Sequence, residues 1–283
     1  MSAIIETSRT LKPATFLPLL SDANLERPLL SREGRPVSVR HFLRDVRAVA
    51  ENLPKGQYAV NLCEDRYRFL VSFCAVAIVG QTNLLPSSRV RQAIDDVMQS
   101  YPSSYSLSDR TREESPPRHF VLPEFSQRDD SDGEMPSIAA NHVVAIGFTS
   151  GSTGQPKANP KTWASVHAST AHNTRTLGDA IGLVDGTLAH VVATVPPQHM
   201  YGLELSVFLP LFGPFAVHGG RPFFPGDVAA ALAEVPAPRV LVTTPIHLQA
   251  LLRDPAQLPP LAAITSAIIS NAYYIIVILR LWL

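Results

Sequence analysis

A nearly unbroken apolar run, HVVAIGF at 142–148, leads straight into TSGSTGQPK at 149–157, and a helical pattern follows at about 161–177. Glycines permit the tight turns that aim successive backbone N–H groups in one direction, so a buried strand ending in such a loop presents many donors together. Ser150, Ser152 and Thr153 add hydroxyls and Lys157 adds a mobile positive charge, a donor set suited to a polyphosphate. The loop is not the GxxxxGK[ST] of the common P-loop enzymes, because Lys157 follows a proline and no Ser or Thr comes after it. A flexible Gly/Ser linker would not be clamped between a buried strand and a helix, or carry Pro-Lys.

The flanking sequence predicts the scaffold that holds this loop. Val39, Phe42, Leu43, Val46 and Val49 recur at spacings of three and four, an amphipathic helix over 36–50. YAVNLC (58–63) reads as a strand, RYRFLVSFCAVAIVG (66–80) as an apolar helix, TNLLP (82–86) as a short strand and VRQAIDDVMQSY (90–101) as a helix. Residues 109–136, charged and punctuated by prolines, read as a surface connection. Further strands are expected at 188–195 and 239–244, with helices at LELSVFLPLF (203–212), PGDVAAALAEV and PIHLQALLR. Short apolar strands alternating with helices specify an α/β fold with a parallel sheet, layered αβα.

The 24 basic and 24 acidic residues cancel, so no general field favours nucleic acid or anionic lipid. Cys63 and Cys74 lie in apolar surroundings with no metal-ligand spacing, as reduced core thiols of a cytoplasmic protein would. The N-terminus carries Glu6 and lacks the basic–apolar–small order of a secretory signal.

The pattern TSGSTGQPK resembles the phosphate-binding signature of the adenylate-forming (AMP-binding) superfamily, which includes acyl- and aryl-CoA synthetases and peptide-synthetase adenylation domains. The resemblance implies that Thr149, Ser150, Gly151, Ser152, Thr153, Gly154 and Lys157 hold the ATP phosphates while a carboxylic acid is adenylated. It further implies Mg²⁺, and CoA or carrier-protein phosphopantetheine as acyl acceptor. Ala158-Asn159 departs from the glycine usual after that lysine. PPQHMYG (196–202) is similar to the family's Pro-x-x-His loop, which implies that His199 and Tyr201 line or gate the acid pocket. TTPIHLQAL (243–251) is similar to the family's strand-to-helix junction in the same sheet. HGGRPFFP together with PPQHMYGLE resembles a bacterial aryl-polyene subgroup, which leans the acid toward an aromatic or unsaturated one. Glu204 sits too early for the family's magnesium-binding glutamate and reads as a helix-start carboxylate near the N-terminal dipole.

The resemblance spans about 35–266, giving an N-terminal segment (1–34), a partial adenylation domain (35–266) and an apolar tail (267–283). Eight isoleucines occur in residues 1–263 and six in 264–278 alone. The family's Tyr-Gly-x-Thr-Glu motif and its later catalytic lysine are not found in the 283 residues, so adenylation by this chain is expected to be slow, leaving a nucleotide-binding remnant as the alternative. Residues 261–279 are nineteen uncharged positions, close to the length of a membrane anchor but rich enough in β-branched residues and tyrosine to form a strand.

Overall fold

The computed structural model describes residues 15–21, 23–111, 115–116, 118–125, 134–149, 157–253, 258–270 and 273–279. In chain order its first strands are β1 (Phe16–Pro18), β2 (Pro28–Arg32) and β3 (Arg35–Ser38), followed by helix α1 (Val39–Ala50). Then come β4 (Tyr58–Asn61), α2 (Arg66–Ile78), β5 (Thr82–Leu85), α3 (Arg91–Ser100), β6 (Ser104–Ser108), β7 (His119–Val121) and β8 (Ser137–Ala139). The expected loop strand is β9 (Val143–Thr149), and β10 (Lys157–Thr162) returns beside it before α4 (Trp163–Ile181). The last part contains β11 (Ala189–Ala193), α5 (Met200–Leu203), a π-helical turn at Glu204–Phe208, α6 (Leu209–Phe212) and β12 (Phe215–His218). It continues through α7 (Pro225–Ala233), β13 (Arg239–Thr243), α8 (Pro245–Arg253), β14 (Ala263–Ser270) and β15 (Tyr273–Leu279).

These strands make two large sheets. One has the order β10-β9-β5-β4-β6-β7, parallel from β9 to β7, with β10 antiparallel at its edge. The other has the order β15-β14-β13-β11-β12-β2-β3, parallel from β14 to β2 and closed at each side by an antiparallel partner. Helices pack on both faces of the parallel parts, so most of their strand residues are buried and apolar, with buried serines on one face of β6 as the main exception. In the first sheet, Val60, Leu84 and Ile146 pack on Ile94 and Val97 of α3, and Ala59, Leu85 and Ala145 belong to the cluster that includes Phe73 of α2. In the second, Val192, Leu241 and Ile264 pack with α7 and α8, and Val191 and Val240 with Leu177 and Leu205. Phe73 meets Phe208 edge-on at 5.4 Å, so the inner helices of both sheets share one core. The result is the expected αβα layering, built twice.

Several local expectations change. The first helix starts at Val39 rather than 36, because residues 35–38 pair with β2 and the Ser38 hydroxyl accepts from His41 N–H as N-cap. Residues 157–162 form a strand, and the helix expected from about 161 begins at Trp163, capped by Thr162. The surface connection at 109–136 contains β7, which adds to the sheet edge. Residues 263–270 and 273–279 are a β-hairpin joined to β13, and no described helix is long and apolar enough to cross a membrane, which removes the helical-anchor reading of that stretch.

Candidate functional site

The carboxyl ends of the two parallel sheets converge on one side chain. Arg66 begins α2 just after β4, and only 1% of it is exposed. Its Nη2 donates to Ala193 O and Val195 O at the end of β11, both at 3.0 Å, and its Nη1 donates to Ser206 Oγ. Burial pulls Arg66 down to about 10, repulsion from Arg221 adds to that and Asp65 opposes it; a guanidinium remains charged at neutral pH even so. Arg89, which follows β5, donates to Cys63 O and reaches Gln198 Oε1 at 3.4 Å. In open α/β sheets, crevices at the carboxyl ends of strands are where ligands bind.

The loop after β11 is shaped by Pro196 and Pro197. His199 serves as N-cap of α5 with extended backbone, and Leu203 N–H donates to His199 O at 2.7 Å. A Cβ on Gly202 would run into Pro196 O, so only glycine lets the helix fold back against this loop. His199 is exposed as a residue, yet its ring is partly desolvated; that, followed by Arg89 and Arg221, holds the imidazole below its usual range. His247 on α8 is lowered by burial and then Arg221, and its Nδ1 lies 3.2 Å from Thr194 Oγ1 and 2.9 Å from Thr244 Oγ1. Phe223 meets the His247 ring edge-on at 5.1 Å.

Among the sequence-selected residues, Ser150, Gly151, Ser152, Thr153 and Gly154 lie outside the described residues. The flanking strands are described: Thr149 pairs with Lys157 at the loop end of the β9–β10 hairpin, and Lys157 is exposed. The hairpin lies against the helix that starts at Met200, since a Cβ on Gly147 would sit 2.7 Å from Met200 Sδ. The fold thus brings the strands flanking the loop beside the His199 segment. Tyr201 is 5% exposed and packs in the core under the second sheet; its hydroxyl lies 2.7 Å from Thr265 Oγ1 on β14, and burial pushes its phenol up.

Glu204 needs a correction. It does not sit at the helix start but one turn in, at the beginning of the π-helical turn, where Lys161 Nζ lies 3.4 Å from its Oε1 and Asn173 Nδ2 donates to its Oε2 at 3.1 Å. Among the described residues no group of three or more His, Cys, Asp or Glu side chains could hold a metal. Arg66, Arg89, Thr194 and His247 escaped the sequence reading. Arg66 had a visible signal: a cation in the first turn of an apolar helix opposes the helix dipole, and needs another reason to be there.

Comparison with known proteins bears on what this arrangement belongs to. The family model described as AMP-binding enzyme matches residues 55–270. An acyl-CoA ligase, sidI, of Beauveria bassiana (strain ARSEF 2860) is 34% identical over 105 residues, 36% of this chain and 16% of the relative. The o-succinylbenzoate CoA synthetase MenE of Bacillus subtilis, solved in complex with ATP and magnesium ion, has a TM-score of 0.67 at 17% identity, covering 87% of this chain and 69% of that one. ATP-bound MatB of Rhodopseudomonas palustris has a TM-score of 0.62 at 18% identity, covering 82% of this chain and 49% of that one. The match to the curated ligase thus spans about a sixth of that relative's length. At such identities the two solved structures speak for the fold, which is that of the N-terminal part of adenylate-forming enzymes. The family match covers most of the chain. The chain therefore belongs to the AMP-binding enzyme family.

Proposed function

We propose that this chain is the ATP- and acid-gripping part (35–266) of an AMP-forming acyl- or aryl-CoA synthetase, or of the equivalent acyl–carrier-protein ligase, working in the cytoplasm. The observation that carries the reading is the convergence at Arg66: it ties the end of β11 to the start of α2, and the loop after β11 leads to Met200, which lies against the hairpin that brackets residues 150–156. On this reading Thr149, Ser150, Gly151, Ser152, Thr153 and Gly154 donate to the ATP phosphates and Lys157 offsets charge on the departing pyrophosphate. Bound ATP supplies an electrophilic α-phosphorus for the carboxylate. His199, on the rim, gates the acid, and Tyr201 acts from behind it by fixing the start of α5 to β14. Arg66 and Arg89 hold the loop between those groups. CoA or a phosphopantetheine thiol would then accept the acyl group. No magnesium ligand is assigned to the described residues, because Glu204 is engaged by Lys161 and Asn173.

Carboxylate-dependent exchange of labelled pyrophosphate into ATP tests the proposal on residues 1–283. Exchange is expected to depend on the acid and to be greater with aromatic or unsaturated acids than with acetate. Exchange that ignores the acid, or no exchange with any acid under conditions where ATP binds, would contradict ligase chemistry in this chain.

A further inference from the structure

The β9–β10 hairpin has a buried inner strand and a partly exposed outer one. Its outer strand is the edge of the six-stranded sheet, so among the described residues β10 pairs on one side only. An edge strand that flanks a ligand loop needs another restraint, or its arm will fray. Two contacts provide one. Gly147, on β9, lies against Met200, while Lys161, on β10, reaches Glu204 at 3.4 Å.

The spacing of these contacts is consistent. Gly147 pairs with Asn159, and Lys161 pairs with Ala145, two residues nearer the base of the hairpin. Two residues of strand advance about 6.7 Å. Met200 and Glu204 are four residues apart, which on a helix is about 6 Å. The helix therefore runs alongside the hairpin, and successive turns meet successive rungs. Glu204 also accepts from Asn173 on α4, so one carboxylate joins the hairpin, the long helix after it and the helix that carries Tyr201 and is capped by His199. The π-helical turn starts at this glutamate, and such turns are frequent at functional sites. The pair is partly buried, where a charge-assisted contact retains more strength than on an open surface.

We infer that Glu204 is a positioning residue: through Lys161 and Asn173 it fixes the phosphate-loop hairpin against the pocket helix, so that occupancy of one is felt by the other. This rests on the reading that residues 149–157 take phosphate, and the test separates the two claims. Amide hydrogen exchange over 143–149 and 157–162 is measured on the unliganded chain, and pyrophosphate affinity by calorimetry, for the wild type, Glu204→Gln, Lys161→Met and the swap Lys161→Glu with Glu204→Lys. The amide of Asn173 can turn its oxygen toward a lysine, so the swap keeps all three partners satisfied.

We expect both single variants to exchange faster in the hairpin alone and to bind pyrophosphate about fivefold or more weakly. The unfolding midpoint should move by only a few degrees, and the swap should restore both readouts. Hairpin exchange and affinity unchanged in Glu204→Gln would overturn the inference, as would a swap that folds but restores neither. If the wild type takes up no pyrophosphate, the phosphate reading fails, and the exchange measurement alone decides whether the latch exists.

Discussion

Arg66 illustrates why a buried charge belongs where two sheets meet. Its guanidinium satisfies two carbonyls and a hydroxyl with its fixed fork, a task that lysine, a point donor on a flexible stem, cannot reproduce. Removing it leaves Ala193 O and Val195 O buried without that donor. Arg66→Met should therefore cost about 2–5 kcal/mol, read as a lowered urea midpoint at unchanged slope. Arg66→Lys should fall between that variant and the wild type. A loss under about 0.5 kcal/mol, as at ordinary surface positions, would show that the carbonyls are satisfied without Arg66.

Among the elements, the turn from β11 into α5 has the least room. Gly202→Ala pushes a methyl group into Pro196 O, a backbone atom that cannot swing away, so the loop carrying His199 must move. The expected cost is about 2–3 kcal/mol, with weaker acid binding as a companion effect; full stability in the variant would show that the loop yields freely. The same scale explains what the sequence made legible. β9, α2 and α3 declare themselves through apolar runs and spacing, because burial on one or both faces requires that pattern. KANPKT does not, having neither alternation nor β-branched bulk before Thr162; it becomes β10 through pairing with β9, and Pro160 is tolerated because the strand is an edge. LELSVFLPLF reads as one helix, yet Pro210 offers no N–H to Ser206 O, and the segment divides into a π turn and α6. At the candidate site, TSGSTGQPK and PPQHMYG stand out as patterns in the sequence, the first lying mostly outside the described residues. Arg66, Arg89 and His247 do not, since their roles depend on which strand ends the fold brings together.

For the whole molecule, pH gives an independent check. Burial lowers His167, His190, His199 and His247, and Arg239 or Arg221 adds repulsion at the last three, with Arg89 also acting on His199. The folded state then binds fewer protons than the unfolded chain, so stability rises with pH across this range. Stability should be at its plateau above the ordinary imidazole value of about 6.5 and fall as acidification passes through it toward the lowered folded values. Chemical denaturation between pH 7.5 and 5 measures this, and a flat profile would mean that the rings are solvated. Beyond the site, β15 presents an outer edge with the uncharged sequence YYIIVIL, so Ile276→Lys should raise the soluble fraction; no change would show that this edge does not drive association. The central claim, that the segment between β9 and β10 grips nucleotide phosphates, is tested most directly by calorimetric titration of MgATP into the wild type and Lys157→Ala. We predict saturable binding that weakens about tenfold or more in the variant, the loss of one charge-assisted contact. Equal affinity in the two proteins, or no binding to the wild type, would contradict it.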